Sequence, residues 1–193
     1  MVTISQDKAQ LRREALARRA ALDPALRAAF SERLKTLGLD LAARHQARAV
    51  SAFYPIRGEP DTLALLSLLA ARGLVTALPI TGGRGDRLTF RAFRPGDPLV
   101  TGAMRIPEPS PDAGLVEPDL LFVPLAAFDR RGHRIGYGAG HYDRTLAFLR
   151  AQRPTVAVGV AYAVCEVEAV PDQPHDVPLD YLLTDAELIK VAR

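Results

Sequence analysis

The sequence predicts an α/β protein: a single domain of three α/β/α layers on a mostly parallel, Rossmann-like sheet. Three observations predict it. Apolar strands and helices alternate at a spacing of about 25 residues, the βαβ signature. A glycine-rich turn lies between a core strand and a helix. The chain has 193 residues and 48% hydrophobic content, enough for one core without disulfides.

Residues 5–20 read as a helix with Ala9, Leu16 and Ala20 near one stripe. Asp23-Pro24 then supplies an N-cap followed by proline at the first helical position, opening a second helix over 24–44. These two helices, within residues 1–48, are expected to pack as a pair on the one domain, 1–193. The apolar stretch 49–54 reads as the first strand, stopped by Pro55. Asp61-Thr62 opens a third helix that ends near Gly73, and 74–78 returns as a strand parallel to the first.

The stretch 80–118 is less regular. Gly82-Gly83-Arg84-Gly85 reads as a hairpin-type turn before a strand at 88–93, and Pro/Gly-rich loops run on to Gly114. Residues 119–123 and 155–160 read as buried strands flanking a helix at 140–151, and 180–184 reads as the last strand.

Composition narrows the function. The single cysteine, Cys165, lies in an apolar stretch, forms no internal bridge and reads as a small buried hydrophobe, which suits a reducing cytoplasm. No stretch offers the roughly 20 apolar residues a membrane span needs. The formal net charge is +3, with 10 Lys/Arg against 5 Asp/Glu in residues 1–48 and 15 against 17 in the rest. Those front charges are scattered around helices, without the run or the exposed aromatics of a nucleic-acid surface. A basic module binding RNA through its helical front is the alternative from another class. The four histidines have no paired helical spacing and no cysteine cluster beside them, which argues against zinc. Only three of the 25 basic residues are lysines: Lys8, Lys35 and Lys190.

The most informative segment is 124–144, which contains Arg134-Ile135-Gly136-Tyr137-Gly138-Ala139-Gly140-His141-Tyr142-Asp143-Arg144. It follows a core strand, brings three glycines that let backbone N–H groups approach an anion, and leads into a helix N-terminus. Phosphate is its natural guest, although glycines also serve tight turns. The spacing is neither the P-loop nor the dinucleotide fingerprint. Arg134 and Arg144 can donate to phosphate oxygens, and Asp143 can hold a bridging magnesium ion or merely favour the helix dipole. Tyr142, spaced with Leu146 and Leu149, reads as core packing. The same loop in the same fold would also suit a sugar phosphate or a thioester cofactor.

With the residues between Pro124 and Arg144, the chain resembles the 5-formyltetrahydrofolate cyclo-ligases, also called methenyltetrahydrofolate synthetases. Lys8-Ala9-Gln10-Leu11-Arg12, Glu59-Pro60-Asp61-Thr62, Arg105-Ile106-Pro107-Glu108-Pro109 and Pro174-His175-Asp176-Val177-Pro178 agree in order, so the resemblance covers almost the whole chain. It implies an ATP-dependent ligase of reduced folate that uses magnesium and no nucleophilic side chain. ATP would be met by Lys8, Ala9, Gln10, Leu11 and Arg12 and by Arg134, Ile135, Gly136, Tyr137, Gly138, Ala139, Gly140, His141 and Tyr142. Magnesium would be held by Asp143 and Asp176. Folate would meet Tyr54, Glu59 and the backbone of Tyr137, Gly138, Ala139, Gly140 and His141. The partners so implied are small molecules, with neither nucleic acid nor membrane, and a monomer is expected.

Two departures stand out. Met104 occupies a place near the folate where some relatives carry an aromatic residue, and His141-Tyr142-Asp143 stands where many read Tyr-Tyr-Asp. The position of Glu59 also has a physical reading: it follows a core strand, beyond whose carboxyl end an open α/β sheet binds ligands, the alternative being a loop glutamate in water before Asp61 caps the helix. It is expected to lie away from the glycine segment that carries the phosphates.

Overall fold

The computed structural model describes residues 4–83 and 85–192. Its helices and strands follow in the order α1 (Ile4–Ala20), α2 (Pro24–Arg44), β1 (Ala49–Ser51), α3 (Leu63–Ala71), β2 (Val75–Ile80), β3 (Thr89–Ala92), β4 (Leu99–Thr101), β5 (Pro107–Pro109), β6 (Leu120–Pro124), β7 (Ala127–Phe128) and β8 (Arg134–Ile135). They continue with α4 (His141–Gln152), β9 (Val156–Val160), a short 3-10 turn (Ala163–Cys165), β10 (Tyr181–Leu183) and β11 (Leu188–Lys190).

The main sheet has the order β11-β10-β9-β6-β1-β2-β3. Its five inner strands are parallel, and β3 and β11 close the two edges antiparallel. From β1 the chain winds outward through α3 to β2; from β6 it winds the other way through α4 to β9. Right-handed crossovers in opposite directions put α3 and α4 on opposite faces, which makes the three layers. The reversal falls between β1 and β6. The loops leaving the carboxyl ends of those two neighbours therefore diverge and leave a crevice, where such sheets hold ligands.

The α2 helix begins as its sequence dictates: Asp23 Oδ1 accepts from Ala25 N at 2.7 Å, with Pro24 in the first turn. It buries Phe30, Leu34, Gly38, Leu41 and Ala42 and packs on α3. A Cβ on Gly38 would lie 2.6 Å from a Leu65 methyl, so this glycine is what lets the two helices approach. Cys165 is fully buried, as its apolar neighbours imply. No described helix is long and apolar enough to cross a membrane.

Several expectations change. The buried side of α1 runs through Ala15 and Arg19, flanked by half-buried Lys8, Leu11 and Arg12, while Ala20 is exposed. The first strand pairs only to Ser51, because Phe53 gives its carbonyl to Thr62 Oγ1 at 2.5 Å and Pro55 has no N–H to continue a ladder. Thr62 is thereby unavailable as a side-chain cap. Asp61 takes that role by accepting from Leu63 N at 2.9 Å, and the helix starts at Leu63. The Gly82–Gly85 turn does connect an antiparallel pair, β2 and β3, although Arg84 lies outside the described residues. Three features lie outside the sequence pattern: the β4–β5 ribbon, the β7–β8 ribbon and the edge strand β11, which follows the strand expected at 180–184.

Candidate active site

The two loops beyond β1 and β6 are joined through their side chains. The loop after β1 carries Tyr54 and Glu59; the loop after β6 contains the β7–β8 ribbon and the glycine segment that opens α4. Tyr137 donates its hydroxyl to Glu59 Oε1 at 2.5 Å, and Ile56 N donates to Oε2 at 3.0 Å. Glu59 is 8% exposed. This overturns the expectation that Glu59 lies away from the glycine segment: it is tied directly to its second residue. Burial holds the Glu59 carboxyl above the ordinary value, against hydrogen bonds from Tyr137 and Ile56 and the nearby charges of Arg19 and Arg57. The Tyr137 phenol is pushed up to about 12, first by burial and then by the Glu59 charge.

Backbone geometry explains two of the three glycines. Gly138 has φ +95° and Gly140, the N-cap of α4, φ +64°, both left-handed conformations that glycine adopts without strain. Gly136 is different. Its φ lies outside that region, and a Cβ there would meet no protein atom within 4 Å. Nothing in the protein's own packing demands glycine at 136, which leaves open room above the backbone for a close-fitting guest.

The α1 helix lies over this segment with its charged side. Arg12 Nε donates to Gly136 O at 2.7 Å, and Lys8 Nζ donates to Asp176 Oδ2 at 2.6 Å. The other members of the first ATP group point elsewhere. Gln10 is exposed and bonds Glu14 at 2.9 Å, Leu11 packs against a small core of Ala15, Ala127, Ile135 and Val170, and Ala9 is half-buried. Ile135 belongs to that same core. Of residues 8–12, therefore, Lys8 and Arg12 have side chains that reach the site.

Arg134 is held, not free. Its Nη1 donates to Val177 O at 2.6 Å and its Nη2 to Asp143 Oδ1 at 2.7 Å, which also accepts from Val177 N at 3.1 Å. Burial presses its pKa down against the charges of Asp143, Tyr142 and Asp176, so both candidate metal carboxylates border one buried guanidinium. At Asp176 burial works against the anion, but the hydrogen bonds from Lys8 and from Gln173 N at 2.9 Å outweigh it and hold the carboxyl below its usual range. Among the described residues no group of three or more His, Cys, Asp or Glu could hold a metal by itself. Two carboxylates do fit magnesium, which is commonly held by one or two carboxylates with the remaining ligands from substrate phosphates and water.

Arg144 is exposed and turns its guanidinium to the carbonyls of Ala139 and Asp86. His141 Nδ1 meets Asp86 O at 2.8 Å, linking the glycine segment to the β2–β3 turn. The Tyr142 hydroxyl is buried with no hydrogen-bond partner among the described residues, and its ring packs on the main core. Tyr54 also packs there, half-buried. Met104 is 46% exposed between β4 and β5.

One site residue escaped the sequence. Arg19 is 1% exposed, and its Nη2 donates to Tyr137 Oη and to Arg57 O, both at 3.1 Å. A signal existed: Lys8, Arg12, Ala15 and Arg19 follow one another at spacings of 4, 3 and 4 residues, one side of a helix.

A family model described as the 5-formyltetrahydrofolate cyclo-ligase family matches residues 4–185. The 5-formyltetrahydrofolate cyclo-ligase of Mycolicibacterium smegmatis is 33% identical over 189 residues, covering 93% of this chain and 94% of that protein. The protein of the same name from Haemophilus influenzae is 32% identical over 180 residues, covering 91% and 96%. Among solved structures, the 5,10-methenyltetrahydrofolate synthetase of Aquifex aeolicus superposes with a TM-score of 0.79 at 29% identity, covering 96% of this chain and 93% of that one. The synthetase of Mycoplasma pneumoniae, with a TM-score of 0.72 at 21% identity and coverage of 93% and 99%, shares the fold.

Proposed function

The chain belongs to the 5-formyltetrahydrofolate cyclo-ligase family, and from that premise we propose that it closes 5-formyltetrahydrofolate to 5,10-methenyltetrahydrofolate while converting ATP to ADP and phosphate, with magnesium. The observation that carries the nucleotide half is Gly136, a glycine whose φ is not left-handed and whose missing Cβ faces open space, in a segment that feeds a helix N-terminus.

The chemistry sets what the residues must do. Ring closure by N10 has to expel the formyl oxygen, and hydroxide is a poor leaving group. Transfer of the γ-phosphoryl group to that oxygen makes a phosphate ester. N10 then bonds the formyl carbon and gives up its proton, and the C–O bond breaks with the electron pair leaving on inorganic phosphate. Such transfers depend on in-line positioning and on charge neutralisation, with no protein nucleophile required.

In this reading the backbone from Gly136 to Gly140 receives the phosphates, and Lys8 and Arg12 of α1 supply positive charge beside it. Asp143 and Asp176 would hold magnesium, which supplies charge neutralisation on the phosphate oxygens. Arg134 orients Asp143 through the bond to its Oδ1. Lys8 has to divide its charge between Asp176 and the incoming phosphates, so nucleotide and metal binding are coupled at that pair. On the folate side, each Glu59 oxygen already accepts one hydrogen bond and retains a lone pair for the N–H groups of a pterin ring.

The deciding experiment is an absorbance assay for methenyl-folate formation from 5-formyltetrahydrofolate, with ATP and magnesium each omitted in turn. Loss of product in both omissions is the expected result. Product without ATP would overturn the phosphorylation chemistry.

A further inference from the structure

A buried guanidinium is costly unless its charge is answered, and no carboxylate contacts Arg19 directly among the described residues. Its fork instead meets neutral acceptors: Nη2 bonds Arg57 O and Tyr137 Oη at 3.1 Å, and Nη1 reaches Leu125 O at 3.5 Å. The Nε is buried with no hydrogen-bond partner among the described residues. Arg57 belongs to the loop after β1, whereas Leu125 and Tyr137 belong to the loop after β6, so one side chain of α1 grips both walls of the crevice.

The hydroxyl of Tyr137 completes a chain. It accepts from Arg19 and donates to Glu59 Oε1, so cation, phenol and carboxylate are joined in that order. Through a polarised hydroxyl, a cation strengthens the bond to the anion beyond it. Glu59 is the anion that answers the buried charge of Arg19.

We propose that Arg19 is a positioning residue for the folate half of the reaction, holding the Glu59 carboxylate through the Tyr137 hydroxyl in the orientation that receives the pterin N–H groups. The proposal rests on the reading of Glu59 as the folate-binding carboxylate. The charged and titratable groups around Glu59 are Arg19 from α1, Arg57 from its own loop, Tyr137 from the glycine segment and Tyr142 from α4. Arg57 is exposed and therefore screened, and both tyrosines are neutral near pH 7, their phenols raised by burial first of all. Arg19 is thus the buried cation that opposes protonation of Glu59. Without it Glu59 should bind a proton at higher pH, and folate capture should fail sooner on acidification.

A purely structural tie between the two loops would not move a titration, which separates the two roles. The variants are Arg19→Met, Arg19→Lys and Tyr137→Phe, with Glu59→Gln as reference. Two quantities are read: folate and ATP kcat/KM across pH, and the Glu59 side-chain carboxyl titration in the ligand-free protein by 13C NMR, assigned by its absence in Glu59→Gln. For Arg19→Met, folate kcat/KM at neutral pH should fall about tenfold or more with ATP kcat/KM far less changed, and the acid limb and the Glu59 titration should both rise by about one pH unit. Arg19→Lys retains the charge and should keep both near the wild-type pH while losing part of kcat/KM. Tyr137→Phe cuts the chain and should raise both again.

An unshifted titration in Arg19→Met overturns the proposal and leaves Arg19 as a loop tie. Should Arg19→Met fail to fold, Tyr137→Phe decides, and an unshifted Glu59 there is equally fatal. Failure of the underlying reading has another signature: Glu59→Gln with unaltered folate kinetics removes Glu59 from the site and Arg19 with it, whatever the titrations show.

Discussion

The helices α1 and α2 are consecutive, of similar length, and were expected to behave as a pair, yet they are buried for opposite reasons. The inner side of α2 is Phe30, Leu34, Leu41 and Ala42, seated on α3 with a glycine at the closest approach. The inner side of α1 mixes Ala15 with Arg19 and borders it with Lys8 and Arg12, all three cations bonded to the crevice loops or to Asp176. One helix removes apolar area from water; the other delivers charge to the crevice loops, where the proposed function calls for it. Helical amphipathicity therefore has two meanings in this chain. A polar inner stripe is as informative as an apolar one.

The contrast can be tested from its strongest side downward. Phe30→Ala should cost about 3–5 kcal/mol of stability by urea unfolding while the folded fraction keeps its folate and ATP kinetics. Stability close to wild type would deny α2 its structural role. Next come the two halves of one bridge on the α1 side. Lys8→Met should raise the ATP requirement, and Asp176→Asn the magnesium requirement, each lowering kcat/KM by about ten- to a hundredfold, or ~1.4–2.7 kcal/mol. Thermal midpoints should hardly move, since the pair is partly exposed. If both variants respond only to ATP, Asp176 is a partner for Lys8 and no metal ligand.

A smaller effect has a definite sign. Because the Asp176 carboxyl is held below its ordinary value, its contribution to stability is present above the usual carboxylate pKa and is lost as pH falls through the lowered one. The stability difference between wild type and Lys8→Met should therefore be under about 1 kcal/mol at pH 7 and shrink toward zero below about pH 4. Urea midpoints measured across that range check it, and a difference that grows on acidification contradicts it. The smallest change is Gln10→Ala, which removes an exposed bond to Glu14 and should leave stability within about 0.5 kcal/mol and ATP kinetics unchanged. A large kinetic defect there would return Gln10 to the nucleotide site.

What was legible follows the same division. The α2 helix could be read because its cap, proline and apolar period are local and agree. The glycine segment could be read because turn chemistry is local too, although only the backbone distinguishes Gly136 from Gly138 and Gly140. On α1 the apolar stripe misled: Ala20 is exposed and Arg19, one residue earlier, is the buried member. Charged residues on helices are mostly solvated, and what makes this one different is two carbonyls and a phenol contributed by distant loops. The Glu59–Tyr137 bond joins residues 78 apart, a separation at which no periodicity speaks. The ribbons β4–β5 and β7–β8 and the edge strand β11 have two or three residues per strand, too few to show alternation.

The bridge from Lys8 to Asp176 spans 168 residues, and this has a consequence for how the protein comes into being. During synthesis the first helix emerges long before its partner loop exists, and the entropy of closing so long a loop is met only after the intervening strands have assembled. The inner strands β1, β2, β6 and β9 all precede Asp176 and can pair while α1 still lacks this anchor, whereas β10 and β11 follow it. A ribosome-bound chain stalled before residue 176 would lack β10 and β11 together with the partner of Lys8, so the anchoring of α1 and the completion of the sheet both wait for the last part of the chain.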